Sequence, residues 1–146
     1  MKNVLNVLGG VALAALVAAP VSAADKDTID YRINVMKSLG EQASALGKIL
    51  QNKVPRADNL AIHAETIALQ ARAAQTAFAD KVVGGTAKAD VWDNWADFSA
   101  RFANLEKAAL DVAEAAKSGG LAAAQPKIQA MLTCKACHDI YRTPQN

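Results

Sequence analysis

The chain has 146 residues, 52% of them hydrophobic and 21% charged, with a formal net charge of +2. That length suits a single folded domain. With a balanced charge and no basic stripe interleaved with aromatics, nothing points to a nucleic-acid partner.

Met1-Lys2-Asn3 is a short positive start, followed by the run VLNVLGGVALAALVAAPVSA and an abrupt change to ADKD. A basic start, an apolar centre and a small-residue exit mark a secretory signal peptide. Val21-Ser22-Ala23 fits the cleavage pattern, so residues 1–23 are expected to be removed. Residues 24–146 then form one mature domain of 123 residues with net charge +1. Gly9, Gly10 and Pro20 interrupt the leader, whose apolar centre is short for a stable membrane span, and no later run is apolar enough to make one. Export to the periplasm puts the two thiols in an oxidising compartment, where they pair or are used.

The mature sequence is rich in alanine and reads as helix throughout. Ile29, Ile33, Met36, Gly40, Ala43, Gly47 and Leu50 make a first stripe at spacings of four and three. Leu60, Ala64, Ile67, Ala71, Ala74 and Phe78 make a second. Val91, Trp95, Phe98, Phe102, Leu105, Ala109, Val112 and Ala116 make a third. Pro55 ends the first helix, Asp58 is the expected cap of the second, and Thr86 or Asp90 that of the third. A fourth helix is expected after Gly119-Gly120, starting or kinking at Pro126, with Ile128, Met131, Cys134 and His138 on one side. Four helices with short joins predict an all-α, up-down-up-down antiparallel four-helix bundle. Trp92, Trp95, Phe98 and Phe102, with Phe78, read as an aromatic core cluster.

Both cysteines and one of the two histidines fall in Cys134-Lys135-Ala136-Cys137-His138. C-x-x-C-H is the attachment sequence for c-type haem. On a helix, positions i, i+3 and i+4 share a face, so two thiols can reach the porphyrin's vinyl edge while the imidazole reaches the iron. A Cys134–Cys137 disulfide and a zinc site completed by His63 are the competing readings. The first usually sits in a βαβ pattern, and no strands are predicted; the second crowds three ligands on one helix. No nucleophile–base pair, carboxylate pair or phosphate loop suggests an enzyme.

The stretches YRINVMKSLG, VWDNWADF and CKACHDIYR carry a resemblance to the cytochrome c′ family, including its low-spin cytochrome c-556 relatives. The resemblance spans essentially the whole mature chain. It implies one covalent haem c, with iron, between the first and last helices of a four-helix bundle. Cys134 and Cys137 would be the thioether links and His138 the proximal ligand. Arg142 would stand as the basic residue beside that histidine, and Arg32 would meet a haem propionate, as a guanidinium fork suits a carboxylate. Met36 would face the distal side of the iron, as a ligand or as pocket filler. Met131, seven residues before His138 on the expected fourth helix, would lie on the proximal side.

Two functions follow from this resemblance. In the first, His138 and Met36 hold a six-coordinate iron that carries one electron between redox partner proteins. In the second, the iron is five-coordinate and takes up a diatomic gas, nitric oxide or carbon monoxide. The family also implies a homodimer through the first two helices.

Overall fold

The computed structural model describes residues 22–144; residues 1–21 of the expected signal segment lie outside the described residues. Helix α1 runs Ala23–Leu50. It opens with a capping box, in which the Asp25 amide donates to Ser22 Oγ at 3.1 Å and the Ser22 amide to Asp25 Oδ2 at 3.3 Å. The chain turns through Pro55 into a 3₁₀ turn, Ala57–Asn59, and then α2, Leu60–Ala77. Asp58 does not cap α2 as the sequence suggested. It lies within the 3₁₀ turn, whose Ala57 carbonyl takes the Leu60 amide, so a backbone turn does the work of the side chain.

The third helix opens in two steps. A single turn, α3, spans Asp90–Asp93, and α4 starts at Trp95 after a break at Asn94. Neither Thr86 nor Asp90 caps it. The carbonyls of Lys88 and Ala89 instead accept the Val91, Trp92 and Asp93 amides at 3.2, 3.0 and 3.1 Å.

Helix α4, Trp95–Met131, bends at Gly120, whose φ of 62° and ψ of −152° only glycine adopts without strain. Pro126 neither starts nor kinks the fourth helix, contrary to expectation; it sits exposed inside the segment 121–131. The carbonyl it leaves without a helical donor belongs to Ala122, which is also exposed and open to water. The helix breaks instead at Leu132 and Thr133, and α5 spans Cys134–Tyr141. Counting the two sides of the Gly120 bend separately gives the expected up-down-up-down bundle of four helices.

Helix α1 packs along α2 and α2 along α4, while α5 rests on α3 and α4. Ala64, Ala68, Ala71 and Ala74 are buried on α2 and let α4 approach closely, with Leu46, Leu60, Ile67, Val112 and Ile128 filling the core. The stripe predicted for α1 is not the face that meets α2. Leu39, Leu46 and Ile49 are the buried apolar residues of that helix. Ile33 and Gly40 are exposed, and Met36, Ala43 and Gly47 are half-buried. Thus α1 has two apolar faces: Leu39, Leu46 and Ile49 are buried, while on the other Met36 and Leu50 pack on the core only in part. Among the described residues no helix is long and apolar enough to cross a membrane.

Candidate haem site

The C-x-x-C-H stretch forms the first five residues of α5. Cys134 is exposed, Cys137 is half-buried against the core, and both are free thiols. His138, one residue on, is half-buried. Burial pushes the Cys137 thiol up, with the Arg101 charge opposing it. Burial, and then the charge of Arg142, pull His138 down. That favours neutral imidazole, the form that ligates a metal.

Helix α5 is held by contacts distant in sequence. The Lys88 amide donates to the Tyr141 carbonyl at 3.0 Å and the Thr143 amide to the Thr86 carbonyl at 2.9 Å. Lys88 Nζ reaches the Ile140 carbonyl at 3.0 Å. Tyr141 is buried, with its hydroxyl donating to Asp97 and its ring edge-on to Phe98 at 5.0 Å. Arg101 pairs with Asp97 at 2.7 Å and lies over the Tyr141 ring. The sequence reading passed over Tyr141, Asp97 and Arg101. The only local signals were the spacing of Tyr141 from His138 and the i, i+4 pair Asp97/Arg101.

The loop 84–88 also touches α1. A Cβ on Gly84 would fall 2.4 Å from Ile29 Cδ1, and one on Gly85 would fall 3.9 Å from Ile33 Cδ1. Ile33 and Tyr141 therefore sit at the same end of the bundle. Met36 lies three residues from Ile33, and His138 three residues from Tyr141, both leading away from that end. At 1.5 Å per residue each lies about 4.5 Å along its helix from the residue that meets the loop.

Arg32 is 3% exposed, the one buried charged residue among those described. Its Nε donates to the Ala77 carbonyl at 2.8 Å, Nη1 to Val82 at 2.6 Å and Nη2 to Asp80 at 2.6 Å. Its guanidinium lies 5.0 Å from the Phe78 ring and 5.2 Å from the Trp92 ring. Arg142 is exposed, and its amide donates to the His138 carbonyl at 3.0 Å, which places it beside the histidine. His63 sits between α1 and α2 with Nδ1 2.7 Å from Gln42 Oε1. No group of three or more His, Cys, Asp or Glu among the described residues is placed to hold a metal ion, so zinc gains no support.

Met131 is 2% exposed in the core of α4, across the Leu132–Thr133 break from His138. The reasoning that put it on the proximal side assumed one continuous helix, and the break cancels that register.

The residues fit a haem. A free thiol pair and a half-buried imidazole share α5, and α1 offers a partly exposed apolar face through Ile33, Met36 and Ala43. Gly40, one turn beyond Met36, has no atom within 4 Å of where a Cβ would stand. Two surface hollows of about 340 and 230 Å³ lie elsewhere, along α4 at Asp111, Lys127 and Met131.

Comparison with known proteins agrees with this geometry. A family profile described as Cytochrome C' matches residues 27–142. Cytochrome c' of Rhodospirillum rubrum is 34% identical over 137 residues, covering 90% of this chain and 93% of that one. Cytochrome c' of Pararhodospirillum photometricum is 32% identical over 118 residues, covering 78% and 94%. The fold matches a ferrous variant of cytochrome c prime from Alcaligenes xylosoxidans with a TM-score of 0.76 at 21% identity, over 84% of this chain and 98% of that one. A nitric oxide complex of another variant of that protein matches with a TM-score of 0.74 at 21% identity, over 82% and 97%. The chain belongs to the cytochrome c′ family of c-type haem proteins.

Proposed function

We propose that this protein is an exported, periplasmic one-electron carrier, not an enzyme, in which Cys134 and Cys137 hold the haem, His138 is the proximal ligand and Met36 the sixth. The bound haem supplies an iron that gains and loses one electron. What supports the reading is that Met36 and His138 each lie three residues from a residue, Ile33 on α1 and Tyr141 on α5, that meets the loop 84–88. A thioether ligand raises the reduction potential relative to a harder ligand. Cys137 buries its thiol against the core, which fixes one edge of the macrocycle, and Cys134 stands exposed at the other attachment point. Burial, and then the Arg142 charge, favour the neutral imidazole. Arg32 has two N–H groups left beyond its three carbonyl bonds, and these are what it can offer a propionate.

A second reading has its own support. Met36 is only half-buried, and the Alcaligenes protein with this fold has been seen with nitric oxide. In that reading Met36 fills the distal pocket and the open iron takes nitric oxide or carbon monoxide. The exposed apolar residues Ile62 and Leu69 on α2 suit a homodimer, and redox partner proteins would dock at the exposed Cys134 edge.

An absorption spectrum of the purified exported protein separates the two. The electron carrier gives a low-spin ferric spectrum with a weak sulfur-to-iron band at its red end. A high-spin spectrum that Met36→Ala leaves unchanged sinks that reading in favour of gas binding. Intact mass tests the attachment: a chain from Ala24 plus one haem is expected, and a haem-free mass counts against it.

A further inference from the structure

A buried cation normally needs a carboxylate, since desolvating it costs several kcal/mol. Among the described residues Arg32 has none within ion-pair distance, and the Asp80 carboxylate supports its charge only from further off; its bonding partners are three backbone carbonyls and two aromatic faces. One of those carbonyls, Ala77, closes α2, so the guanidinium also meets the negative end of that helix. Trp92 Nε1 donates to the Phe78 carbonyl at 2.9 Å and the Asp80 carbonyl at 3.0 Å, so Asp80 is gripped from both sides. The loop so fixed continues into Thr86, Ala87 and Lys88, which pair with Thr143, Arg142 and Tyr141 at the end of α5. Hydrogen bonds at both ends therefore tie this loop to α1, one turn before Met36, and to the helix that carries His138, with residues 83–85 joining the two along the chain.

We infer that Arg32 is a positioning residue: through the 77–88 loop it sets the height of α5 against α1, and so the placement of His138 opposite Met36. This rests on the haem attachment proposed above. Arg32 acts here on the protein frame, whatever else its free N–H groups touch. Lysine at this position keeps the charge but has no planar fork to span three carbonyls.

The test uses the exported holoprotein with Arg32→Gln, Arg32→Lys and, as a milder change, Trp92→Phe. Two quantities are read: hydrogen exchange at the Lys88 and Thr143 amides, and the ferric haem spectrum. In Arg32→Gln, exchange at both amides should rise at least about tenfold, as losing charge-assisted bonds frees the strap. The spectrum should shift with it, while amides in 95–119 keep their protection. Arg32→Lys should recover little, and Trp92→Phe should move both readouts the same way by less. If the spectrum shifts with those amides unchanged, Arg32 acts on the haem directly and the positioning role is overturned. Faster exchange with an unmoved spectrum, or no change in either, overturns it too. The unsubstituted protein's spin state decides Met36 ligation separately, so a five-coordinate iron would sink the carrier reading and leave this shift measurable.

Discussion

Along the α2–α4 seam protein meets protein at each turn. Ala64, Ala71 and Ala74 on α2 are fully buried, as are Ala109 and Val112 on α4. Arg72–Glu106, Glu65–Lys117 and the 2.7 Å bond from Gln75 to Ser99 Oγ cross its rim. The far side of α1 is the opposite. Ile33 and Gly40 are exposed and Met36 only partly packs on the core, and α5 is moored by its own C-terminal end and the loop 86–88. Burial of apolar area at about 25 cal/mol per Å² stabilises the first region by itself. The second leaves that area for a planar group to cover. One half of the bundle is self-sufficient, and the other is shaped as a seat.

Removing the cofactor should separate the two halves most sharply. Cys134→Ala with Cys137→Ala is expected to give a haem-free, loosely packed chain. Hydrogen exchange should show α1 and α5 unprotected and the α2–α4 seam the last to open. A thermal transition as cooperative and as high as that of the native protein would break the comparison.

Methionines on the two sides test it next. Met131→Ala, at a buried site on α4, should cost about 2–5 kcal/mol in urea unfolding of the holoprotein without moving the haem spectrum. Met36→Ala should cost less stability, as the side chain is half-buried, yet convert the iron to high spin, lower its potential and speed carbon monoxide uptake. Equal spectral effects from both would undo the distinction.

Gly120→Ala probes the bend that lets one long helix serve as third and fourth. Nothing lies within 4 Å of the added Cβ, so the expected loss of about 1–3 kcal/mol is conformational. A cost near zero in urea titration would mean the bend relaxes into straight helix.

The smallest effect concerns acid. Asp97 is held below the ordinary carboxylate value, first by its hydrogen bond from Arg101 and then by that from Tyr141. A depressed carboxylate contributes stability that is fully present above its unfolded value and is lost as pH falls through its folded value. Below the ordinary carboxylate range α5 should therefore loosen, readable as faster exchange at the Lys88 amide, and Asp97→Asn should flatten that dependence.

Some of this was legible in the chain alone. The period of four and three, with Pro55 and the glycine pairs, determined four helices, because amphipathic spacing and helix breakers act locally. C-x-x-C-H pointed to a c-type haem, because two thiols and an imidazole need only one helical turn to share a face. Capping was misjudged at Asp58, Thr86 and Asp90, where backbone carbonyls of neighbouring turns did what side chains were expected to do. The break before the motif was looked for at Pro126, but an exposed proline costs little where water can satisfy the freed carbonyl. The first-helix stripe was read correctly as apolar, but it is only partly buried, with Met36 and Leu50 on the core and Ile33 and Gly40 exposed, since period alone does not say how far a neighbouring helix covers a face. Only the tertiary structure decided that Arg32 is buried on three carbonyls and that Tyr141 is locked to Asp97. Those partners lie 44 to 50 residues away in the sequence, and no local pattern encodes a contact made across a fold.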